Sequence, residues 1–106
     1  MLNQCIVVGR VTGSTESEGN LVLILESSEN TALMPSFKVA VTIPKRMRAN
    51  IEELIVPIID THHPLIGAKG RINMEHDGMI FTADKISFMS RTAKEINDEQ
   101  HNPGTN

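Results

Sequence analysis

An Asp-Gly pair between two long apolar-rich runs constrains the fold of this chain more than any other feature of its sequence. Both central positions of a tight hairpin turn favour positive φ, and these two residue types adopt it readily. The pair therefore predicts a β-hairpin over residues 65–89, with its turn at His76, Asp77 and Gly78.

Both arms of this hairpin suit a small barrel. Glycine weakens a strand unless the strand bends or another backbone comes close, and the first arm carries Gly67 and Gly70. In the second arm, Asp84 interrupts the row that we expect to face inward, as happens where bends and rims of a barrel expose part of a row. That row consists of Ile80, Thr82, Asp84, Ile86 and Phe88.

The chain before the hairpin predicts three further strands. Residues 2–11 and 21–25 are apolar on both faces, as in strands buried in a closed barrel, and residues 12–20 form a polar loop between them. Residues 36–43 alternate, because one face carries Phe37, Val39, Val41 and Ile43.

After Pro44 the apolar period changes from that of a strand to that of a helix. Asn50 suits the N-cap of this helix, and Pro57 ends or kinks it. Three strands, one helix and a hairpin follow the order of the oligonucleotide/oligosaccharide-binding (OB) fold. The sequence therefore predicts an all-β, five-stranded Greek-key barrel with one short helix between strands 3 and 4.

Length and charge narrow the class of protein. A chain of 106 residues forms one domain that needs no disulfide or metal, and we interpret Cys5, its single cysteine, as a small buried hydrophobic residue. No apolar run reaches the roughly 20 residues of a membrane span, and the first residues lack the basic part of a signal peptide. We therefore expect a cytoplasmic protein. Since the net charge is -3, any nucleic-acid site must be a local basic patch.

Nothing in the sequence indicates an enzyme. It contains no recognisable pair of nucleophile and base, no phosphate-binding glycine loop and no paired carboxylates in an apolar pocket. His62 and His63 would point to opposite sides of a strand, and no third metal ligand is near them in sequence. We expect neither a metal nor a cofactor.

Several short segments occur in an order and spacing that a known family shares. They are residues 1–3, 6–11 and 37–43, then Lys45, Asn50, Ile51 and Leu54, then Gly70, Arg71 and Ile72, and finally Ala83, Asp84, Ile86, Phe88 and Met89. Together they resemble the bacterial single-stranded DNA-binding protein family. The resemblance implies non-specific binding of single-stranded DNA (ssDNA) across the barrel, and a homo-oligomer, dimer or tetramer, assembled through the first strand.

The chain departs from this family in its aromatic residues and its tail. It has three Phe and neither Trp nor Tyr. Phe37 occupies one position of a family stacking residue, whereas Ile43 occupies a second. Each stacked base contributes about 1–3 kcal/mol, so these losses weaken binding. We expect a barrel over residues 1–91 and a short, disordered polar tail over residues 92–106, as in a primosomal-type relative or a phage or mobile-element paralogue.

The resemblance selects basic and aromatic residues as candidates for nucleic-acid binding. They are Arg10, Phe37, Lys38, Lys45, Arg46, Arg48, Lys69, Arg71, Phe81 and Lys85. Plainer interpretations remain open, because Phe37 could be a core side chain and the basic residues near Lys45 a solvated helix entrance. Phe81 alternates away from the expected inward row, toward the surface or an interface, whereas we assign Phe88 to the core.

Two functions are compatible with these residues. The first is ssDNA binding in replication, recombination or DNA transfer. The second is a protein-interaction module of a replication or transfer complex, with weak or no DNA binding, which the scarcity of aromatics favours. The strand pattern leads us to adopt the first. We also expect an outward row of Cys5, Val7 and Val11 to be buried against another subunit, because contiguous exposed apolar surface marks an interface.

Overall fold

The computed structural model describes residues 4–27, 37–75 and 78–101 of the chain. Within these ranges five strands form, namely β1 (Gln4–Ser17), β2 (Asn20–Glu26), β3 (Lys38–Ile43), β4 (Leu65–Glu75) and β5 (Gly78–Phe88). The same ranges contain α1 (Lys45–Leu54), a 3₁₀ turn (Val56–Ile58), α2 (Ile59–His62) and α3 (Ala93–His101). None of these helices is long and apolar enough to cross a membrane.

The strands close into a barrel in the order β1, β2, β3, β5 and β4, with β4 pairing back onto β1. Neighbouring strands are antiparallel except β3 and β5, which run parallel. The helix α1 follows β3 and precedes β4 in the chain. For the described part of the chain, this confirms the predicted all-β, five-stranded barrel with a helix between strands 3 and 4.

The predicted hairpin is present, and its second strand contains a bulge. β4 and β5 pair up to Glu75 and Gly78, while the predicted turn residues His76 and Asp77 lie outside the described residues. Lys69 pairs with Lys85 but Gly70 pairs with Ala83, so Asp84 is an extra residue that no β4 residue faces. A Cβ on Gly70 would lie 2.0 Å from the carbonyl oxygen of Thr82, so the close backbone approach expected at a strand glycine occurs there.

This bulge reverses the side-chain alternation of β5, and the predicted inward row is therefore wrong for its first half. Ile80 is exposed, whereas Phe81 is only 7% exposed and belongs to the core. Beyond the bulge, Ile86 and Phe88 pack half-buried against the core, as predicted. One extra residue moves all following side chains to the opposite face, so a single period of two cannot describe the whole strand.

β1 is longer than predicted because it bends to pair with two neighbours. Its residues 4–10 pair with β4, and its residues 10–17 pair with β2, with a bulge at Thr12 inside that pairing. At the bend, a Cβ on Gly9 would lie 2.5 Å from the carbonyl oxygen of Glu26. The predicted loop over residues 12–20 is wrong, since only Glu18 and Gly19 form the turn, with φ of 52° and 81°. The polar composition of this segment suggested a loop, but it reflects strand residues that face solvent.

The core joins inward side chains of all five strands to the apolar face of α1. Its buried members are Val11, Leu21, Leu23, Leu25, Val41, Ile43, Ile51, Ile55, Ile59, Ile66, Ala68, Phe81 and Ala83. α1 begins at Lys45, because Pro44 ends β3 in an extended conformation with φ -65° and ψ 154°. The prediction of Asn50 as the N-cap is therefore wrong, and Asn50 is an exposed residue inside the helix.

Residues 93–101 form α3, where the sequence predicts a disordered tail. A capping box starts this helix, since the Glu95 N–H donates to Thr92 Oγ1 at 3.4 Å and the Thr92 N–H donates to Glu95 Oε1 at 3.3 Å. Ile96 is half-buried, and α3 contacts α1. The prediction of disorder is thus wrong for residues 93–101. Residues 102–106 lie outside the described residues, and the domain boundary at residue 91 stays a prediction.

Candidate nucleic-acid interface

Basic side chains gather on the outer surface of β4 and β5. Lys69 and Arg71 are exposed and alternate with the buried Ala68 and Gly70, so both point out of the barrel. Lys85 is the cross-strand partner of Lys69, and directly opposed residues project from the same face of a sheet. Three cations therefore share this part of the outer wall.

The first turn of α1 adds two cations to the same region. Arg46 Nη2 donates a hydrogen bond to the carbonyl oxygen of Asp84 at 3.0 Å, which fixes the helix start beside the β5 bulge. Arg71 Nε lies 3.8 Å from Asp84 Oδ2 in an exposed ion pair. We call this surface the basic face, and it comprises Lys45, Arg46, Lys69, Arg71 and Lys85.

The basic face stands out because the chain as a whole is acidic, with a net charge of -3. The five cations of the basic face outnumber the carboxylate of Asp84, which lies beside Arg71, so the local charge is positive. A positive surface attracts polyanions and raises their rate of association, even on a protein with negative net charge. Exposed Lys and Arg side chains are the groups that neutralise the phosphates of a nucleic acid.

Arg48 is held away from the basic face by partners inside the chain. It forms ion pairs with Glu16 and Glu52, the latter at 2.7 Å from Nε, and its Nη1 donates to the Gly19 carbonyl oxygen at 2.9 Å. The hydrogen bonds that Arg48 donates to Glu16 and, to a lesser extent, to Glu52 raise the pKa of Arg48 above its usual value. This arginine ties the β1–β2 turn to α1, which is a structural role.

Arg10 and Lys38 lie on another part of the barrel wall. Arg10 pairs across β4 with Leu65, about 13 Å along the strand from Lys69 at the usual strand rise. Its Nη1 donates to the His63 carbonyl oxygen at 3.1 Å. Lys38 is exposed on β3, and both Arg10 and Lys38 are register partners of Glu26 on β2. The sequence-predicted cations therefore do not form one continuous patch.

Phe37 is available for stacking, whereas Phe81 is not. Phe37 is 41% exposed and precedes β3, so the interpretation as a fully buried core residue does not apply. Its N–H donates to Ser27 Oγ at 3.3 Å, and the Ser27 N–H donates to the Phe37 carbonyl oxygen at 3.1 Å. The expected surface position of Phe81 is wrong. The β5 bulge reverses the alternation of the strand, so Phe81 lies in the core.

An apolar strip lies on the surface of the barrel and includes Phe37. It comprises Ile6, Val8 and Phe37, of which Ile6 is 72% exposed. The predicted outward row is wrong, since Cys5 and Val7 are half-buried against the core and Val11 is fully buried. The true outward row of β1 is the alternate one. Residues 4–9 pair with β4 along one edge, and no described strand pairs with their other edge.

The histidine pair does not lie in a strand as expected. His62 ends α2, and His63 follows it in a left-handed conformation with φ of 43°. Among the described side chains, no group of three or more His, Cys, Asp or Glu could hold a metal ion.

No protein-family model and no curated protein matches the sequence. A small ssDNA-binding protein from Mycoplasma pneumoniae is similar in structure, with a TM-score of 0.65 and 12% identity, over 86% of this chain and 98% of the other. The mitochondrial ssDNA-binding protein Rim1 of S. cerevisiae has a TM-score of 0.60 and 12% identity, over 86% and 99%.

A third similar structure is the OBody AM3L15 bound to hen egg-white lysozyme, with a TM-score of 0.60 and 14% identity, over 85% of this chain and 79% of the other. Together with the strand order and the position of α1, these likenesses decide the architecture. This chain has the OB fold. At such low identities the likeness concerns the fold alone, so the function of this OB barrel must be argued from its own surface.

Two residues of this surface were not selected from the sequence. Asp84 was interpreted as an interruption of an inward row, whereas it lies among the cations of the basic face. Ile6 was assigned to a strand that is apolar on both faces, without an outward position. Gly9 was a usable signal, because it marks the bend where β1 leaves β2. It separates off residues 4–9, whose second edge pairs with no described strand.

Proposed function

We propose that this OB barrel binds ssDNA non-specifically, with the phosphates on the basic face. The observation that carries the proposal is the convergence of five cations from α1, β4 and β5 on one surface of a chain with net charge -3. A folded acidic chain has no need to gather like charges in one place for stability, since like charges repel. A polyanionic ligand supplies the reason for this arrangement.

The similar structures support the proposal at the level of the fold. The Mycoplasma pneumoniae protein and Rim1 are both ssDNA-binding proteins, and each aligns nearly along its whole length with 86% of this chain. The OB architecture is therefore compatible with this kind of ligand. Replication, recombination or DNA transfer, in the cytoplasm, is the cellular setting that we assign to it.

We propose that the DNA backbone runs over the outer wall from the start of α1 toward Phe37. Lys45 and Phe37 are eight residues apart across β3, which is about 26 Å of extended chain. Lys38 lies next to Phe37 and faces outward, so it contacts a phosphate while one base reaches over the rim to Phe37. With a single stacking residue on this path, binding depends mainly on charge and is weak at high salt.

The candidate residues fall into three groups according to what they contact. The basic face and Lys38 contact phosphates, and Phe37 stacks on a base. Arg10 and Arg48 hold their own chain together through His63 and Glu16, and Phe81 is a core residue. No catalytic step, metal or cofactor takes part.

Titration of a fluorescently labelled oligo(dT) with the protein tests this function. We expect binding at low salt that weakens as salt rises, with a slope of roughly -0.7 per phosphate contact on a single strand. An equal length of duplex should compete poorly, because its bases are not free to reach Phe37. Absence of binding at low salt would remove this function and leave the alternative below.

The alternative is a protein-interaction module of a replication or DNA-transfer complex. The apolar strip favours it, because exposed contiguous apolar side chains mark interaction surfaces. The OBody bound to lysozyme is an OB-like structure that holds a protein. In this case the oligo(dT) titration gives no signal, and substitutions on the apolar strip change partner binding.

We also propose a homo-oligomer, with a second copy against β1. The edge of residues 4–9 with which no described strand pairs offers backbone groups to a second strand, which would also cover the exposed side chains of Ile6 and Val8. Light scattering at micromolar concentration should report a dimer or tetramer. Ile6→Asp should shift the mass toward the monomer, whereas an unaltered oligomer would place the interface elsewhere.

A further inference from the structure

The β5 bulge places a carboxylate inside the basic face. Asp84 is the extra residue of this bulge, and its side chain is exposed 3.8 Å from Arg71 Nε. The carbonyl oxygen of the same residue accepts the hydrogen bond from Arg46 Nη2 at 3.0 Å. Bulges interrupt the ladder and re-aim a side chain, and here one residue engages two of the five cations.

We infer that Asp84 competes with nucleic-acid phosphate for Arg71, and so sets the affinity and the salt dependence of the basic face. This inference rests on the proposed function. A carboxylate offers an arginine the same negative charge and the same kind of oxygen acceptor that a phosphate does. The Arg71 guanidinium therefore has an anionic partner within the chain before any ligand arrives.

The geometry of the pair makes it displaceable. A strong charge-assisted hydrogen bond between these groups is about 2.7–2.9 Å long, whereas Arg71 Nε lies 3.8 Å from Asp84 Oδ2. The two side chains are 66% and 46% exposed, and exposed ion pairs of this kind are weak. A phosphate can take the place of the carboxylate on Arg71, but it then lies near an uncompensated negative charge.

This repulsion has a consequence for the choice of ligand. An isolated anion gains one arginine contact and meets the carboxylate, so it binds poorly. An extended backbone also reaches Lys45, Lys69 and Lys85, and these contacts outweigh the repulsion at one position. Asp84 therefore favours ligands that contact several cations of the basic face at once.

Asp84→Asn is the direct test, because it keeps the side-chain shape, removes the charge and leaves the backbone carbonyl to Arg46. We expect oligo(dT) to bind about three- to ten-fold more tightly at low salt, and the gain to shrink as salt screens the charge. Asp98→Asn makes the same change on α3. Asn97, next to Asp98, lines a groove with Glu53 near the end of α1, whereas Arg46 of the basic face lies in the first turn of α1. This control should alter the affinity far less.

A second comparison locates the effect on Arg71. In an Arg71→Gln background, Asp84→Asn should lose most of its gain, since the competing pair is already broken. An unchanged affinity of Asp84→Asn, or equal gains from Asp84→Asn and Asp98→Asn, would overturn the inference while the proposed function stands. Binding by Asp84→Asn but not by the wild type would support the competition at Arg71 and contradict the proposed function, because the natural chain would then not hold oligo(dT). If neither the wild type nor Asp84→Asn binds at low salt, both the inference and the proposed function are wrong.

Discussion

Truncating Phe81 to alanine should destabilise the barrel without removing a surface for base stacking. The side chain is 7% exposed and belongs to the core, so Phe81→Ala removes buried apolar area and leaves a cavity. Such a change costs about 3–5 kcal/mol. That is a large share of the roughly 5–15 kcal/mol by which a domain is stable. Each kcal/mol lowers the Tm by about 4–8 °C in a domain of up to 100 residues.

Phe37→Ala is the matched change with the opposite expected result. Phe37 is 41% exposed, and its two hydrogen bonds with Ser27 use its backbone N–H and carbonyl oxygen, which alanine retains. The Tm should therefore change little. If Phe37 stacks on a base, its loss weakens oligo(dT) binding by about 1–3 kcal/mol, roughly 5- to 150-fold.

Thermal and urea unfolding followed by circular dichroism give the stability of both variants. Fluorescence anisotropy with labelled oligo(dT) gives their affinity, at a temperature where each variant is folded. A Phe81→Ala variant with the Tm of the wild type would contradict its place in the core and the reversal at the β5 bulge. An unchanged affinity of Phe37→Ala would remove the stacking role, and a large fall in its Tm would make it a core residue.

Three further substitutions test single contacts. Arg48→Gln should lower the Tm and leave oligo(dT) affinity unchanged, because this arginine is engaged within the chain; a loss of affinity equal to that of Arg46→Gln would refute this. Gly70→Ala should prevent native folding, because the new Cβ would lie 2.0 Å from the carbonyl oxygen of Thr82. Gly67→Ala is the control and should fold, because its Cβ would lie 3.5 Å from the nearest atom, Met89 Sδ. Thr92→Ala should cost about 1 kcal/mol and speed hydrogen exchange in α3 but not in the barrel strands; equal exchange in α3 would argue against the capping box.

The order of elements was predictable because its signals are local. The Asp-Gly turn, the change of period after Pro44 and the apolar runs each depend on a few adjacent residues. The side chains of β5 that face the core were not predictable in the same way, because they depend on a bulge that forms only when β4 pairs with β5. A polar residue in an apolar row was the available signal, and a bulge at Asp84 would have placed Phe81 inside.

The candidate site was predictable where it depends on alternation within one hairpin. Lys69 and Arg71 lie two residues apart, so they share a face, and the hairpin register brings Lys85 beside them. The roles of Arg10 and Arg48 depend on partners 53 and 32 residues away, His63 and Glu16. Such contacts need the closed barrel, and the pattern of charges along the sequence does not contain them.

The salt dependence of oligo(dT) binding by a charge-reversed basic face tests the central claim most directly. The double variant Arg71→Glu with Lys85→Glu is compared with Lys94→Glu on α3. Lys94 is exposed and lines a groove with Glu53, near the end of α1 rather than its start. We predict that the double variant binds more weakly and that its salt slope falls by roughly 0.7 for each phosphate that the protein no longer neutralises, while Lys94→Glu binds like the wild type. Equal loss of affinity in the two variants would contradict a defined basic face and leave only a diffuse effect of charge.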